Sequence, residues 1–455
     1  MSSFKIISPY SQTTLETIRY TPFDDTVNQL NHLKLGLPIQ ESLGISDRIS
    51  ILNKLIHILE KHIDTFATLI TSEMGKPIAE SYAEMKRALI TLKSTIVDIQ
   101  ALRGEAIDST IYGIPSNKIG IVQYFPLGII LCITPFNFPI NLALHKLAPG
   151  FAAGNCLLFK PSPKTYLSAK KLVECCYEAG IPKECLQLIM PSIDDLQKLV
   201  SLSNINCISL TGSPDAAKSI TQHMGLKKFL CELGGNDPFI VMPDADLSLA
   251  AKTAVSQRFG TAGQRCNAPK RFYIHESIYD DFKALVISET QSLTVGDPSL
   301  NTTDIGPMIS IEVAQLLANS VQKAIKQGAI SLLPIQREGA LFHPIILESV
   351  LPDSPLIMDE VFGPVMVLQS FSDLNTAIKT INAGSYGLQA GIFTNDINLA
   401  KSTFNRLQVG ALNLNDGPGF RADHFPFSGI KDSGIGSEGT RYTIDAMSYR
   451  KTLVI

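Results

Sequence analysis

Ile130-Leu131-Cys132-Ile133-Thr134-Pro135-Phe136 is an apolar run that breaks at a proline, and three later stretches repeat its form. Cys156-Leu157-Leu158-Phe159-Lys160-Pro161-Ser162, Cys207-Ile208-Ser209-Leu210-Thr211-Gly212-Ser213 and Pro238-Phe239-Ile240-Val241-Met242-Pro243-Asp244 each pass from apolar residues into a proline or glycine. Short unbroken apolar runs bounded by turn residues are the pattern of strands buried on both faces. Helical stretches over 166–180 and 214–224 fill intervals between them. Strands that alternate with helices predict an α/β fold with a parallel sheet.

Downstream the style repeats, with a helix over Leu247–Phe259, a strand over 271–275, a helix over 279–293 and a strand over 387–393. That predicts a second α/β domain, and 455 residues are more than one ordinary core accommodates. Upstream, Ile49, Leu52, Leu55, Ile56, Leu59, Ile63, Phe66, Leu69 and Ile70 recur at helical spacing, predicting one helix from 47 to 70 that Gly75 and Pro77 terminate. A second helix follows over 78–102.

Hydrophobic residues make up 45% of the chain and charged ones 18%, so material for a core is ample. The net charge of −3 gives no electrostatic reason to expect nucleic acid or an anionic membrane as partner. No apolar stretch reaches 18 residues and the first dozen residues hold no signal core, so a cytoplasmic protein is expected. The eight cysteines include no C-x-x-C pair, so no metal site is expected, and seven of them read as buried reduced thiols.

Three loops carry residues that core packing does not call for. One is Thr134-Pro135-Phe136-Asn137-Phe138-Pro139, an amide between prolines; another is Cys231-Glu232-Leu233-Gly234-Gly235, a carboxylate at an apolar strand end. The third is Gly260-Thr261-Ala262-Gly263-Gln264-Arg265-Cys266-Asn267-Ala268, a thiol among small residues. Alone, each has a plain structural reading: a core thiol, a paired buried acid, a turn-forming asparagine.

In this order they resemble the aldehyde dehydrogenase superfamily, over nearly the whole chain. Glu73-Met74-Gly75-Lys76-Pro77, Phe159-Lys160-Pro161-Ser162, Leu210-Thr211-Gly212-Ser213, Glu232-Leu233-Gly234-Gly235 and Gly263-Gln264-Arg265-Cys266 match its motifs. Glu360-Val361-Phe362-Gly363-Pro364 and Pro426-Phe427-Ser428-Gly429-Ile430-Lys431 complete the set. The resemblance implies an enzyme with two Rossmann-like parallel-sheet domains and a β-ribbon oligomerisation extension. It implies an NAD(P)-binding domain over 1–235, with the ribbon at 109–126, a catalytic domain over 236–418 and an oligomerisation segment over 419–455. A homodimer or homotetramer is expected.

The roles also come from the resemblance. Cys266 attacks the aldehyde, Asn137 and the Cys266 N–H receive the oxyanion, hydride leaves to NAD or NADP, and Glu232 activates the water that hydrolyses the thioester. Arg265 is the nearby cation expected to favour the thiolate. Thr211, Gly212 and Ser213 open a helix whose N–H groups suit a pyrophosphate. Lys160, Ser162, Pro163, Leu233, Glu360 and Phe362 fall at the family's other cofactor positions. Many NAD-specific relatives have a glutamate where Pro163 stands, so this chain has room for a 2′-phosphate.

Arg265 and Arg421 place the chain near the non-phosphorylating glyceraldehyde-3-phosphate, phosphonoacetaldehyde and lactaldehyde dehydrogenases, with Arg103 as a third cation. Guanidinium groups suit a phosphate, phosphonate or carboxylate on a small aldehyde. The alternatives are an Arg421–Asp423 salt bridge with Arg265 facing solvent, a succinate semialdehyde or broad-specificity enzyme, and a non-catalytic protein of the same fold.

Overall fold

All four apolar runs become buried strands in the computed structural model, which describes residues 2–102, 104–112 and 118–455. Ile129–Ile133 lies in the middle of the first sheet. Cys156–Lys160 and then Leu186–Leu188 follow on one side, Cys207–Thr211 and then Lys228–Glu232 on the other, all parallel. The winding therefore reverses at Ile129–Ile133, which opens a crevice beyond the carboxyl ends of that strand and Cys207–Thr211. Gly434–Ile435 closes the far edge, antiparallel to Lys228–Glu232.

The second sheet has the spatial order Ile330–Ser331, Ile345–Glu348, Val365–Phe371, Pro269–His275, Asp237–Val241, Gln389–Phe393 and Ala411–Leu414. Only Ile330–Ser331 runs antiparallel to its neighbour in that sheet. Glu232 ends a strand of the first sheet and Asp237 begins one of the second, so Leu233–Asn236 is the bridge between them. One core cluster gathers residues from Leu30 to Leu233 with Ile309, Ile444 and Met447, and three smaller ones occupy the stretch from Phe239 to Leu407. Leu131 is wholly buried in the first, where truncation to alanine costs about 2–5 kcal/mol.

The helix Asn141–Ala152 is buried along its whole length and packs on helix Ile78–Ala101. It carries His145 and Lys146 inside with it, and such groups need partners wherever water is excluded.

The expected 47–70 helix is two helices, Ile45–Lys61 and Ile63–Met74, because the backbone leaves the helical region at His62 (φ −107°, ψ 13°). Gly75 then ends the second in the left-handed conformation, as its position suggested. The hairpin Ser3–Ile7 with Thr14–Arg19 and the helices Phe23–Ser42 and Ile311–Lys326 were not foreseen. Glu105–Asp108, Ile119–Pro126 and Ser448–Val454 form a separate antiparallel sheet, so this ribbon begins before residue 109. Arg103 lies outside the described residues, as do 113–117 of the ribbon segment. Among the described residues no helix is long and apolar enough to cross a membrane.

Candidate active site

Between helix Leu247–Phe259 and strand Pro269–His275 the chain passes through three left-handed residues in a row, Thr261 (φ 56°), Ala262 (φ 52°) and Gly263 (φ 70°). For the two that are not glycine this costs on the order of 1–3 kcal/mol each, so the surroundings must enforce it. Glu80 does so by accepting from the Thr261 N–H at 3.0 Å and from its hydroxyl. Gln264 adds a second tie, its Oε1 accepting from the Ile309 N–H at 2.9 Å. At Gly263 a Cβ would lie 2.5 Å from the Gly363 carbonyl oxygen, so only glycine fits. This pinned turn presents Cys266, the one cysteine of eight that is not fully buried.

Asn137 arrives from the loop after Ile129–Ile133, and its Nδ2 donates to the Gln264 carbonyl at 2.9 Å. That bond uses one of its two amide hydrogens and leaves the other beside the Cys266 loop. The Gly234–Gly235 bridge touches the same loop, since a Cβ on Gly235 would stand 2.7 Å from the Cys266 carbonyl oxygen. Glu360 lies across that bridge, Oε1 accepting from the Gly235 N–H at 3.1 Å. Phe362 meets Phe136 edge to face at 6.0 Å. Glu232, Asn137, Cys266, Glu360 and Phe362 are thus drawn to the one seam where the two sheets join.

The electrostatics of the seam differ from a simple thiolate site. The protein packed round Cys266 pushes its thiol up to about 12, and the strongest influence in the other direction is the Lys270 ammonium. Arg265, expected to favour the thiolate, is turned away: it pairs with Glu80 at 3.3 Å and lies over the Phe138 ring. Burial holds the Glu232 carboxyl well above the ordinary carboxylate range, and the like charge of Glu438 adds to it, while Arg421 and Lys146 act against. Its Oε2 is buried without a hydrogen-bond partner among the described residues. A carboxyl made more basic in this way is suited to taking a proton from water.

Arg421 does not pair with Asp423. It pairs with Glu438 Oε1 at 2.6 Å, and one of its terminal nitrogens lies 3.4 Å from both ring nitrogens of His145. Complete burial, and then a cation so placed on the ring, keep His145 below its ordinary value. Asp423 instead binds Arg87 at 3.2 Å, His145 at 3.1 Å and the Thr91 hydroxyl at 3.1 Å. Arg87, from helix Ile78–Ala101, also donates to the Arg421 carbonyl at 3.3 Å. Arg265 pairs with Glu80 on the same helix, so three guanidinium groups from distant segments converge here, and burial first and then the like charges of Arg421 and Arg265 press the Arg87 pKa down. Sequence reasoning missed Arg87. Its signal was a stripe of polar residues on the buried side of an otherwise ordinary helix, Ser81, Glu84, Thr91 and Thr95.

The remaining expected residues collect at the crevice of the first sheet. Lys160 ends its strand with the ammonium unpaired among the described residues, and burial alone lowers it to about 8. Thr211 has a buried hydroxyl with no partner among the described residues, and the Gly212 N–H is used by the Glu232 carbonyl at 3.1 Å. Ser213 caps helix Pro214–Thr221, accepting from the Ala216 N–H at 3.2 Å. Ser162 caps the short turn that begins with Pro163, accepting from the Lys164 N–H at 3.2 Å. The Leu233 N–H is taken by the Ser433 carbonyl at 2.9 Å. A half-buried cation and a buried hydroxyl, neither with a partner among the described residues, and a helix start around one crevice fit a phosphate-bearing nucleotide.

The model of the Aldehyde dehydrogenase family matches residues 1–453. The chain belongs to the aldehyde dehydrogenase family. It is therefore an oxidoreductase that oxidises aldehydes with NAD(P). This dehydrogenase is 46% identical over 454 residues to a sulfoacetaldehyde dehydrogenase of Neptuniibacter caesariensis, covering 100% of each chain. It is 35% identical over 452 residues to a 3-sulfolactaldehyde dehydrogenase of Priestia aryabhattai, covering 99% of this chain and 94% of the other. Among solved structures, it resembles the glyceraldehyde-3-phosphate dehydrogenase GapN of Methanocaldococcus jannaschii DSM 2661, complexed with NADP. There the TM-score is 0.95 at 33% identity, over 99% of this chain and 98% of that one.

Proposed function

We propose that this enzyme oxidises a small sulfonated aldehyde, of which sulfoacetaldehyde is the first choice, to the carboxylic acid, and that it accepts NADP. The observation that carries the reading is the convergence of Arg87, Arg265 and Arg421 beside the Cys266 loop. Each already has one carboxylate, Asp423, Glu80 and Glu438 respectively, and Lys146 pairs with Glu438 as well. The cluster therefore carries about one net positive charge. That balance suits a monoanion such as a sulfonate better than a doubly charged phosphate, and the planar guanidinium forks match its oxygens. The names of the relatives favour the same choice.

In this reading the anionic end rests on the arginines and the carbonyl carbon lies at Cys266. The Cys266 sulfur attacks that carbon, and the Asn137 amide with the Cys266 N–H stabilises the resulting oxyanion, one such donor being worth about 3–4 kcal/mol. A bound nicotinamide would supply the hydride acceptor, and loss of hydride from the adduct leaves the acyl group as a thioester on Cys266. Lys160, Ser162, Thr211, Gly212 and Ser213 are the residues we assign to holding the nucleotide phosphates and adenosine ribose. Pro163 leaves the 2′ position without a competing carboxylate. Leu233, Glu360 and Phe362 would border the nicotinamide end. Glu232 then removes a proton from water, which hydrolyses the thioester left on Cys266.

We further place the protein in the cytoplasm, in keeping with its buried free thiols. We take it to be a homodimer or homotetramer built through the strand Ser448–Val454, whose Leu453 and Val454 are exposed on a sheet edge. Domain limits near 235 and 418 follow from the same reading.

The test is a panel of sulfoacetaldehyde, phosphonoacetaldehyde, succinate semialdehyde and propanal with each cofactor, followed at 340 nm. Sulfoacetaldehyde with NADP should give the highest or joint highest kcat/KM. Propanal as the best substrate would refute the anionic reading.

A further inference from the structure

Lys270 is the second residue of strand Pro269–His275 and is 1% exposed. A buried ammonium needs acceptors, and those it has found are informative. Its Nζ donates to the carbonyl of Cys266 at 2.5 Å and to that of Arg265 at 3.1 Å. It also pairs with Glu360 Oε1 at 3.4 Å. The ammonium thus sits against the nucleophile's own peptide and is shared with a carboxylate that the proposed mechanism puts at the nicotinamide end.

We propose that Lys270 is a positioning residue for the reaction: its ammonium fixes the Cys266 peptide and supplies the positive field that favours the thiolate, with Glu360 as the opposing charge. The proposal rests on Cys266 being the nucleophile. The charged groups that act on that thiol come from four segments. Lys270 and Arg421 favour the anion, and Glu360 and Asp237 oppose it. Lys270 is the largest of the favourable influences, and Glu360 is the next largest of any sign after it. Arg265, adjacent in sequence, contributes through neither route, being engaged with Glu80 and the Thr261 hydroxyl. A lysine also suits the place. Its compact, three-donor head can serve two carbonyls and a carboxylate at once, which a planar guanidinium cannot do from the same point.

The experiment is the rate of Cys266 carbamidomethylation by iodoacetamide in the full-length protein without added cofactor, from pH 7 to 9, with the labelled peptide identified by mass. Because only the thiolate reacts, a one-unit rise in its pKa slows labelling about tenfold at fixed pH. K270M should label at least about tenfold more slowly than the parent throughout, and K270R, which keeps the charge, within about threefold of the parent. E360Q should label faster than the parent, since the opposing charge is gone. A folded K270M that labels at the parental rate overturns the proposal, because a purely structural lysine would alter turnover and leave the thiolate fraction alone. Should K270M fail to fold, E360Q decides: labelling that is unchanged or slower overturns the proposal. Failure of the underlying reading looks different, since C266A would then retain turnover whatever the Lys270 and Glu360 variants do.

Discussion

Arg87→Leu isolates the anion subsite more cleanly than any change at Arg421. Removing Arg421 would leave Glu438 without its 2.6 Å partner and alter the field on Glu232, so water activation would suffer along with substrate binding. Removing Arg87 leaves Asp423 still bonded to His145 and to the Thr91 hydroxyl, so no buried carboxylate is orphaned. Loss of one partner from a desolvated charge pair costs about 2–5 kcal/mol, and the Arg87 side chain is a third exposed, which places it in the lower part of that range. At 1.4 kcal/mol per tenfold, about 2–3 kcal/mol is a fall of roughly 30- to 140-fold in kcat/KM. The assay is initial rates at 340 nm with sulfoacetaldehyde and with propanal. The fall should appear with sulfoacetaldehyde only, mostly as a raised KM, because the sulfonate keeps its charge throughout the reaction and is held alike in ground and transition states. An equal loss on both aldehydes would mean that Arg87 supports the fold of this corner rather than the substrate.

Three further outcomes are expected. Cys266→Ala should abolish both aldehyde oxidation and hydrolysis of an activated ester; ester hydrolysis at the parental rate would place the nucleophile elsewhere. Pro163→Glu should shift kcat/KM from NADP toward NAD, since the new carboxylate bonds ribose hydroxyls and repels a 2′-phosphate; an unchanged cofactor ratio would remove Pro163 from the site. Glu73 accepts from the Leu167 and Ser168 N–H groups at 2.7 and 2.9 Å, yet burial raises its carboxyl to about 7. The folded state therefore binds this proton more tightly than the unfolded chain, whose value is about 4.3, and stability from this group declines as pH rises from there through 7. Glu73→Gln should narrow the difference in Tm between pH 5 and pH 8, and a difference as wide as the parent's would contradict the assignment.

What the sequence disclosed follows from how its signals arise. Parallel strands buried on both faces have to be apolar throughout, so Ile129–Ile133, Cys156–Lys160, Cys207–Thr211 and Asp237–Val241 were legible without any partner in view. Helix Phe23–Ser42 was not, because it contains Pro38 and leaves Leu35 exposed while burying Gln40, which blurs any apolar stripe. Strand Thr14–Arg19 has no fully buried residue and so no pattern to read. At the site, Cys266, Glu232 and Asn137 stood out because loops of small residues and prolines made their polar groups conspicuous. Arg87 and Lys270 did not, being a basic residue on a helix and another in a strand, and only the folded chain reveals that Asp423 and Glu360 face them. The partner of Arg421 was equally hidden. Asp423 is two residues away and invites the pairing, yet Glu438, seventeen residues on, takes it.

The most direct measurement combines a single turnover of Glu232→Gln with mass analysis of the trapped protein. Without a base to activate water, the thioester should form and persist. Mixed with sulfoacetaldehyde and NADP, the variant should release about one equivalent of NADPH per active site and then stall, with one sulfoacetyl group on the Cys266 peptide. Steady turnover at the parental rate, or an acyl group found on any other residue, would contradict the assignment of Cys266 and Glu232.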